Sequence, residues 1–313
     1  MKTATARQMD VHLIRQTESD VDRVREAARH LILSGGKRLR PRFTLLIAAA
    51  VGLDEKTALC VGTAAELVHA ATLLHDDVID RSEMRRGQPT VNAKYGAGSA
   101  ILTGDFLLAG ALAQLTEDKL FTATAALATT VRRLAEAEIL QLQQAFRADT
   151  TMAQTRQIAE GKTGALFAWC GEAAAASANA SSEIVSTATR LGLMLGYAFQ
   201  IADDLLDFLP FSRSGKPGMK DLREGQITVP VQLARAQDAR LDESVRRAMD
   251  TKLDADFDLA YERIRGSRAA ELGRAEMSVT IVQMGELLAT LTQDSELQAE
   301  FEKFVTECTV RAS

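Results

Sequence analysis

Residues 90 to 209 contain no proline and run through segments rich in Ala, Leu, Glu, Arg and Gln. These residues are good helix formers, whereas proline is rejected from helix interiors, so the pattern predicts an all-α chain. The flanking breaks agree. VDRVREAARHLILS should stop at Gly35-Gly36, and Pro41 is placed to open PRFTLLIAAAV, leaving GGKRLRP as a loop between helices. Asp54 can cap a helix of more than twenty residues that runs through AAELVHAATLLHDDVID and breaks near Arg86-Gly87-Gln88-Pro89. Further helices are expected at about 91–116, 119–147, 151–177 and 182–209, followed by a loop from Pro210 to Pro230. Two more helical regions come after it, and SELQ at 295–298 has capping-box spacing for the last helix. With no short repeat, low-complexity tail or composition shift to mark a linker, one helical domain over 1–313 is expected.

Charge and cysteine content narrow the function. A net charge of -5 lacks the basic excess that a general nucleic-acid binder needs. Cys60, Cys170 and Cys308 are odd in number and far apart, so they predict reduced thiols in a cytoplasm rather than a disulfide framework or zinc site. MKTATARQMDVHLIR has no signal-peptide core, and the run FTLLIAAAVGL is too short to span a bilayer, so no membrane helix is expected.

The chemistry-bearing feature is LLHDDVIDRSEMRRG at 73–87. Asp76, Asp77 and Asp80 crowd the end of a helix, where the dipole disfavours negative charge, and carboxylates one turn apart repel. FQIADDLLDFLP repeats the i, i+1, i+4 spacing with Asp203, Asp204 and Asp207. A solvated acidic face is the alternative, but both clusters are embedded in Leu, Ile, Val and Phe, and an unpaired buried carboxylate is costly. Two facing rows would make an oxygen-only cage suited to Mg²⁺, which completes its shell with water and substrate phosphates. Candidate phosphate ligands are Lys37, Arg38 and Arg40, Arg85 and Arg86, Lys162, and Lys216 and Lys220. EGKTG lacks the upstream glycine of a nucleotide-binding loop, which disfavours a kinase or ATPase.

In order along nearly the whole chain, GGKRLRP, ELVHAATLLHDDVIDRSEMRRGQPT, GDFLLAGA, AEILQL, EGKTGALF, FQIADDLLDF and KDLREGQITVP resemble the trans-isoprenyl diphosphate synthases, the polyprenyl synthetase family, most closely its medium- and long-chain members. The resemblance implies an isoprenoid synthase fold, an antiparallel helical bundle around a deep central cavity, usually as a homodimer. It implies Mg²⁺-dependent 1'-4 condensation of an allylic diphosphate with isopentenyl diphosphate, repeated to lengthen the chain. By position, Asp76, Asp77, Asp80, Asp203, Asp204 and Asp207 match metal-binding aspartates that hold the allylic diphosphate through about three Mg²⁺ ions. Arg85, Lys162 with Thr163, and Lys220 match residues at that diphosphate. Lys37, Arg40, His69 and Arg86 match the isopentenyl diphosphate pocket, with Phe199 and Gln200 beside it. Lys162 and the first five aspartates form the expected catalytic set. Helix-packing roles for His69 and Phe199 are the alternative.

Two departures stand out. Met219 occupies the position before the lysine of KDL where the family commonly has glycine, and Gln226 follows the glycine of DLxxG where lysine is common. A neutral amide brings no charge to a diphosphate. A class I terpene cyclase is the runner-up, but it binds one diphosphate and would leave Lys37, Arg40 and His69 without a purpose. A regulatory subunit is the non-enzymatic alternative; such subunits tend to lose aspartates, and all six are present here. For product length, the positions one turn or more before Asp76 are Thr72, Ala71 and Val68, none aromatic. In similar synthases an aromatic there forms a floor under the growing tail. Its absence predicts a C30 to C50 product, with C20 or C15 as alternatives.

Overall fold

The computed structural model describes residues 3–208 and 220–310, so Lys216, Gly218 and Met219 lie outside the described residues. In chain order the helices are α1 (Thr3–Arg15), α2 (Asp22–Leu33), α3 (Leu39–Val51) and α4 (Glu55–Ile79), then after a short hairpin α5 (Val91–Tyr95), α6 (Ala97–Glu117), α7 (Phe121–Gln144) and α8 (Met152–Ala159). A π-helical turn (Glu160–Gly164) leads into α9 (Ala165–Ser177) and α10 (Ser182–Leu206). After the undescribed segment come α11 (Lys220–Arg223), α12 (Val229–Arg235), α13 (Ala239–Thr251), α14 (Asp254–Gly266), α15 (Ala269–Leu291) and α16 (Ser295–Thr309). The all-α expectation holds, apart from the hairpin of β1 (Met84–Arg85) and β2 (Gln88–Pro89).

Contacts group the chain into two compact units, Met1–Val131 with Trp169–Thr189, and Arg132–Ala168 with Arg190–Ser313. In the first, α4 is the central element, packed on α1, α3 and α6. Leu59, Val61, Ala64, Ala65, Leu67, Val68 and Leu74 on α4 are all buried, so it is apolar on every side rather than along one stripe. Helices α4 and α6 are each long and apolar enough, by length and composition only, to cross a membrane, a test that buried core helices also pass; 78% of the qualifying window of α4 is buried inside the protein, against 39% for α6. Gly104 on α6 leaves room for the His75 ring of α4, to which a Cβ would come within 2.3 Å. In the second unit, Leu222, Val231, Leu241, Val245, Met249, Phe257 and Ile264 share one core cluster, which joins α11 to α12, α13 and α14.

Local chemistry explains where elements begin and end. Asp54 caps α4 by accepting the Thr57 N–H at 3.0 Å, as expected. The helix ends earlier than expected, at Ile79, and places Asp80 at the C-cap. Beyond it the chain turns through a two-residue hairpin whose central residues, Arg86 (φ 51°) and Gly87 (φ 76°), both have the positive φ that a type I′ turn requires. Leu39, Arg40 and Pro41 belong to the first turn of α3 rather than to a loop. Gly96, at φ 85° and ψ 158°, splits the expected 91–116 helix. EGKTG is a π-helical turn in a continuous helical stretch, not a connector between separate helices. The last helix is capped by Asp294, which accepts the N–H groups of Glu296 and Leu297, so the SELQ capping box is not used; a capping box forms instead at Thr151 and Gln154.

Candidate active site

In the first unit the acidic cluster stands at the carboxy-terminal end of α4. Asp77 is 2% exposed, and its carboxylate takes the Arg85 guanidinium in a forked contact, Nε to Oδ1 at 3.0 Å and Nη2 to Oδ1 at 2.8 Å. The hairpin thus folds Arg85 back over the helix end from eight residues away and neutralises the most buried member of the cluster. Asp76 is half-buried and Asp80 exposed. Deeper on the helix, Ala71 and Val68 are buried at 3% and 1%, and the Thr72 hydroxyl is spent on the His69 carbonyl at 2.9 Å.

The same unit collects the sequence-predicted cations around His69. Burial lowers the His69 pKa well below the usual range, and Arg40, Arg86, Arg85 and Arg38 push it the same way, so the imidazole is neutral near pH 7. Arg38 adopts the left-handed conformation at the head of α3 and donates Nη1 to Glu66 Oε1 at 2.8 Å and Nη2 to the Ile32 carbonyl at 2.8 Å. Arg86 donates to the Gly35 carbonyl, which ties the hairpin turn to the GGKRLRP segment. Lys37 is exposed. Glu66, 6% exposed, is the buried anion paired with this group of cations, and sequence reasoning did not single it out. Its charge also acts on Arg40 and Arg86. Its place inside the ELVHAA motif, on an otherwise apolar helix, was the available signal.

In the second unit Asp203, Asp204 and Asp207 lie at the end of α10. Asp204 is 5% exposed, and its pKa stands well above the usual carboxylate value because of burial first, then the charges of Asp221 and Asp203. Gln200 Nε2 donates to it at 2.8 Å, and the Thr163 hydroxyl donates to Gln200 Oε1 at 2.7 Å. The π-helical turn supplies Thr163. Gly196 lets it approach, since a Cβ there would sit 2.4 Å from the Gly164 Cα. Lys162, on the same turn, lies 2.6 Å from Glu138 Oε2, and Lys220 lies 3.2 Å from Glu224 Oε1. Glu138, in AEILQL, also went unassigned in the sequence. Phe199 packs against Phe167 with ring centroids 6.3 Å apart.

The donor set tests whether a hard cation belongs here. Among the described residues no three His, Cys, Asp or Glu groups are gathered into a complete ligand set, and Asp204 has no ion-pair partner. Clustered oxygen donors, one of them a buried carboxylate that accepts from the Gln200 amide and the Val229 backbone, fit a cation whose remaining ligands are water and phosphate oxygens.

Residues 21–264 match the profile of the polyprenyl synthetase family. The chain belongs to that family. Heptaprenyl diphosphate synthase component 2 of Geobacillus stearothermophilus is 37% identical over 242 residues, 77% of this chain and 74% of that protein. Octaprenyl diphosphate synthase of Escherichia coli K12 is 34% identical over 220 residues, 70% of this chain and 68% of that protein. Among solved structures, a polyprenyl synthase from Caulobacter crescentus CB15, complexed with calcium and isoprenyl diphosphate, is 34% identical with a TM-score of 0.90, covering 99% of this chain and 95% of its own. Heptaprenyl diphosphate synthase from Staphylococcus aureus gives a TM-score of 0.91 at 28% identity, covering 99% and 98%. The polyprenyl synthetase chain therefore has the isoprenoid synthase fold and is a prenyltransferase.

Proposed function

We propose that the protein condenses an allylic prenyl diphosphate with isopentenyl diphosphate in repeated Mg²⁺-dependent 1'-4 steps, as a homodimer in the cytoplasm, and releases a C30 to C50 polyprenyl diphosphate. The observation that carries this reading is the first unit's pairing of an acidic helix end with Arg38, Arg40, Arg85, Arg86 and a neutral His69. Such a set suits a substrate with a diphosphate at one end and a long apolar tail at the other. By their place in the family's motifs the aspartates would hold the ions, about three in number, while within their own units Asp77 and Asp204 take contacts from Arg85 and Gln200. Bound Mg²⁺ would stabilise the charge on departing pyrophosphate.

This chain's own residues do the rest. Arg85, Lys162 and Lys220 bind the allylic diphosphate. Their charge counts for more as the carbon–oxygen bond breaks, because negative charge then accumulates on the leaving group. Lys37, Arg40, His69 and Arg86 anchor the second diphosphate. Thr163 and Gln200 orient the second acidic cluster, and Phe199 presents an apolar face that excludes water from the reacting carbon.

Ala71 and Val68 are buried on α4, a helix that carries no Phe, Tyr or Trp of its own, which supports a long tail. The homodimer reading is supported by an apolar face of α6, where Ile101 and Leu102 are 42% and 65% exposed and Ala109 and Ala113 continue the stripe. The test is incubation of the purified protein alone with labelled isopentenyl diphosphate, Mg²⁺ and a series of allylic starters. Chains of C30 or longer are expected, with Ala71→Phe shifting them much shorter while the first condensation survives. A C15 product from the unmodified protein, or product formation undiminished in EDTA, would overturn the reading.

A further inference from the structure

Asp207 is the last carboxylate of the second acidic cluster, and its two oxygens face the backbone rather than open space. Oδ1 accepts the Lys220 N–H at 3.0 Å, and Oδ2 accepts the Asp221 N–H at 3.1 Å. These are the first two amides of α11, a helix of four residues. The first amides of any helix lack an intrahelical acceptor, and a single turn does not hold itself together in water. The far end of this turn is secured independently: Leu222 is 2% exposed in the core, Arg223 donates to Asp254 at 2.7 Å, and the Gly225 carbonyl accepts the Phe146 N–H at 3.0 Å. Only the near end depends on a side chain that comes from α10.

We propose that Asp207 is a positioning residue, not a metal ligand: it fixes the start of the KDL turn and thereby sets where Lys220 and Asp221 stand. The inference rests on the proposed function, in which Lys220 binds the allylic diphosphate. Asp221 shares this dependence, because its N–H is the second of the two amides that Asp207 holds. In this division of labour Asp203 faces the ions, Asp204 is held by Gln200, and Asp207 aligns the cationic turn.

Amide hydrogen exchange on the full-length, ligand-free protein tests the contact directly. The Lys220 and Asp221 amides should be protected in the unmodified protein and exchange at least about tenfold faster in Asp207→Ala. Asp207→Asn, which keeps one acceptor oxygen, should lose protection at one of the two amides, and Asp203→Asn should leave both unchanged. Calorimetric titration of Mg²⁺ in the presence of a non-hydrolysable allylic thiolodiphosphate supplies the second arm: Asp203→Asn should weaken Mg²⁺ binding about tenfold, and Asp207→Asn by less than twofold. In turnover, Asp207→Asn should raise the KM for the allylic substrate severalfold and leave that for isopentenyl diphosphate alone. Unchanged exchange at both amides in Asp207→Ala and Asp207→Asn, or a loss of Mg²⁺ affinity in Asp207→Asn equal to that of Asp203→Asn, overturns the proposal. Should the unmodified protein form no condensation product, the functional reading fails while the exchange arm still decides the role of Asp207.

Discussion

The two acidic clusters share a spacing but stand in opposite electrostatic surroundings. In the first unit Asp77 is covered by a forked arginine, and Arg38, Arg40 and Arg86 stand around the neighbouring His69. In the second, the buried Asp204 is held by an amide, Asp221 and Asp203 add to its negative field, and both nearby lysines already carry glutamates, Lys162 with Glu138 and Lys220 with Glu224. In the first unit the buried carboxylate is ion-paired; in the second it accepts from a neutral donor. The difference teaches that identical motifs need not be held alike: the first buried carboxylate is matched by a cation, whereas the second sits among like charges that raise its pKa.

The sharpest way to break this contrast is to remove a carboxylate from each side. Asp203→Ala and Asp76→Ala should each lower kcat by about 10²- to 10³-fold, the usual loss when a group that stabilises transition-state charge is deleted. Helix content by circular dichroism should not change. Near-normal turnover by either variant would remove that aspartate from the catalytic set.

Stability should separate the clusters next. Arg85→Ala strands a nearly fully buried carboxylate without its partner and should cost on the order of 3 kcal/mol in urea unfolding. Gln200→Ala removes a neutral donor and should cost about 1 kcal/mol. Equal losses would mean that the two buried aspartates are held in equivalent ways, and the comparison would fail.

How much of this was legible beforehand depends on the kind of residue. The all-α class could be read because proline and helix formers act locally, and the cap at Asp54 because it lies three residues from the amide that it accepts. The aspartates and cations stood out as charges in apolar or loop surroundings. The partners that assign roles among them could not be read: Glu66 lies 28 residues from Arg38, and Gln200 lies 37 from Thr163, so their pairing is a product of tertiary packing. The hairpin that delivers Arg85 also escaped notice, because a positive φ at a non-glycine such as Arg86 has no strong sequence signal.

A smaller effect concerns pH. The Asp204 pKa is held well above its ordinary value, so the ligand-free native state keeps this proton to higher pH than the unfolded chain does. Stability from this group is therefore complete below the unfolded pKa and is lost as pH rises through the folded one, at no more than about 1.4 kcal/mol per pH unit. Asp204→Asn cannot titrate, so its urea midpoint should fall less steeply with pH, and at neutral pH the variant should be more stable than the unmodified protein. Parallel curves for the two proteins would show that Asp204 is not the strained carboxylate of the second unit. Asp77, already paired with Arg85, gives no reason to expect the same gain.

The smallest effect comes from adding a charge beside the KDL turn. Gln226 sits just beyond the KDL turn, partly buried, and its own N–H donates to the Asp221 carbonyl at 2.8 Å, so the backbone is anchored to the segment that carries Lys220. Gln226→Lys would place an ammonium near Asp221 without disturbing that backbone bond. A charge-assisted contact to phosphate exceeds a neutral one by roughly 1 kcal/mol, which corresponds to about fivefold in affinity. The KM for the allylic diphosphate should therefore fall about threefold to fivefold, and that for isopentenyl diphosphate should stay constant, because its expected anchors belong to the first unit. The new lysine has a competing partner in Asp221, and pairing with it would leave both Michaelis constants unchanged while bringing down the raised pKa of Asp204. The pH dependence of unfolding in Gln226→Lys distinguishes these outcomes: a steep profile with a lowered allylic KM shows the cation serving substrate, whereas a flattened profile with an unchanged KM shows it spent on the protein's own anions. A lowered KM for isopentenyl diphosphate alone would contradict the division of charge between the two units.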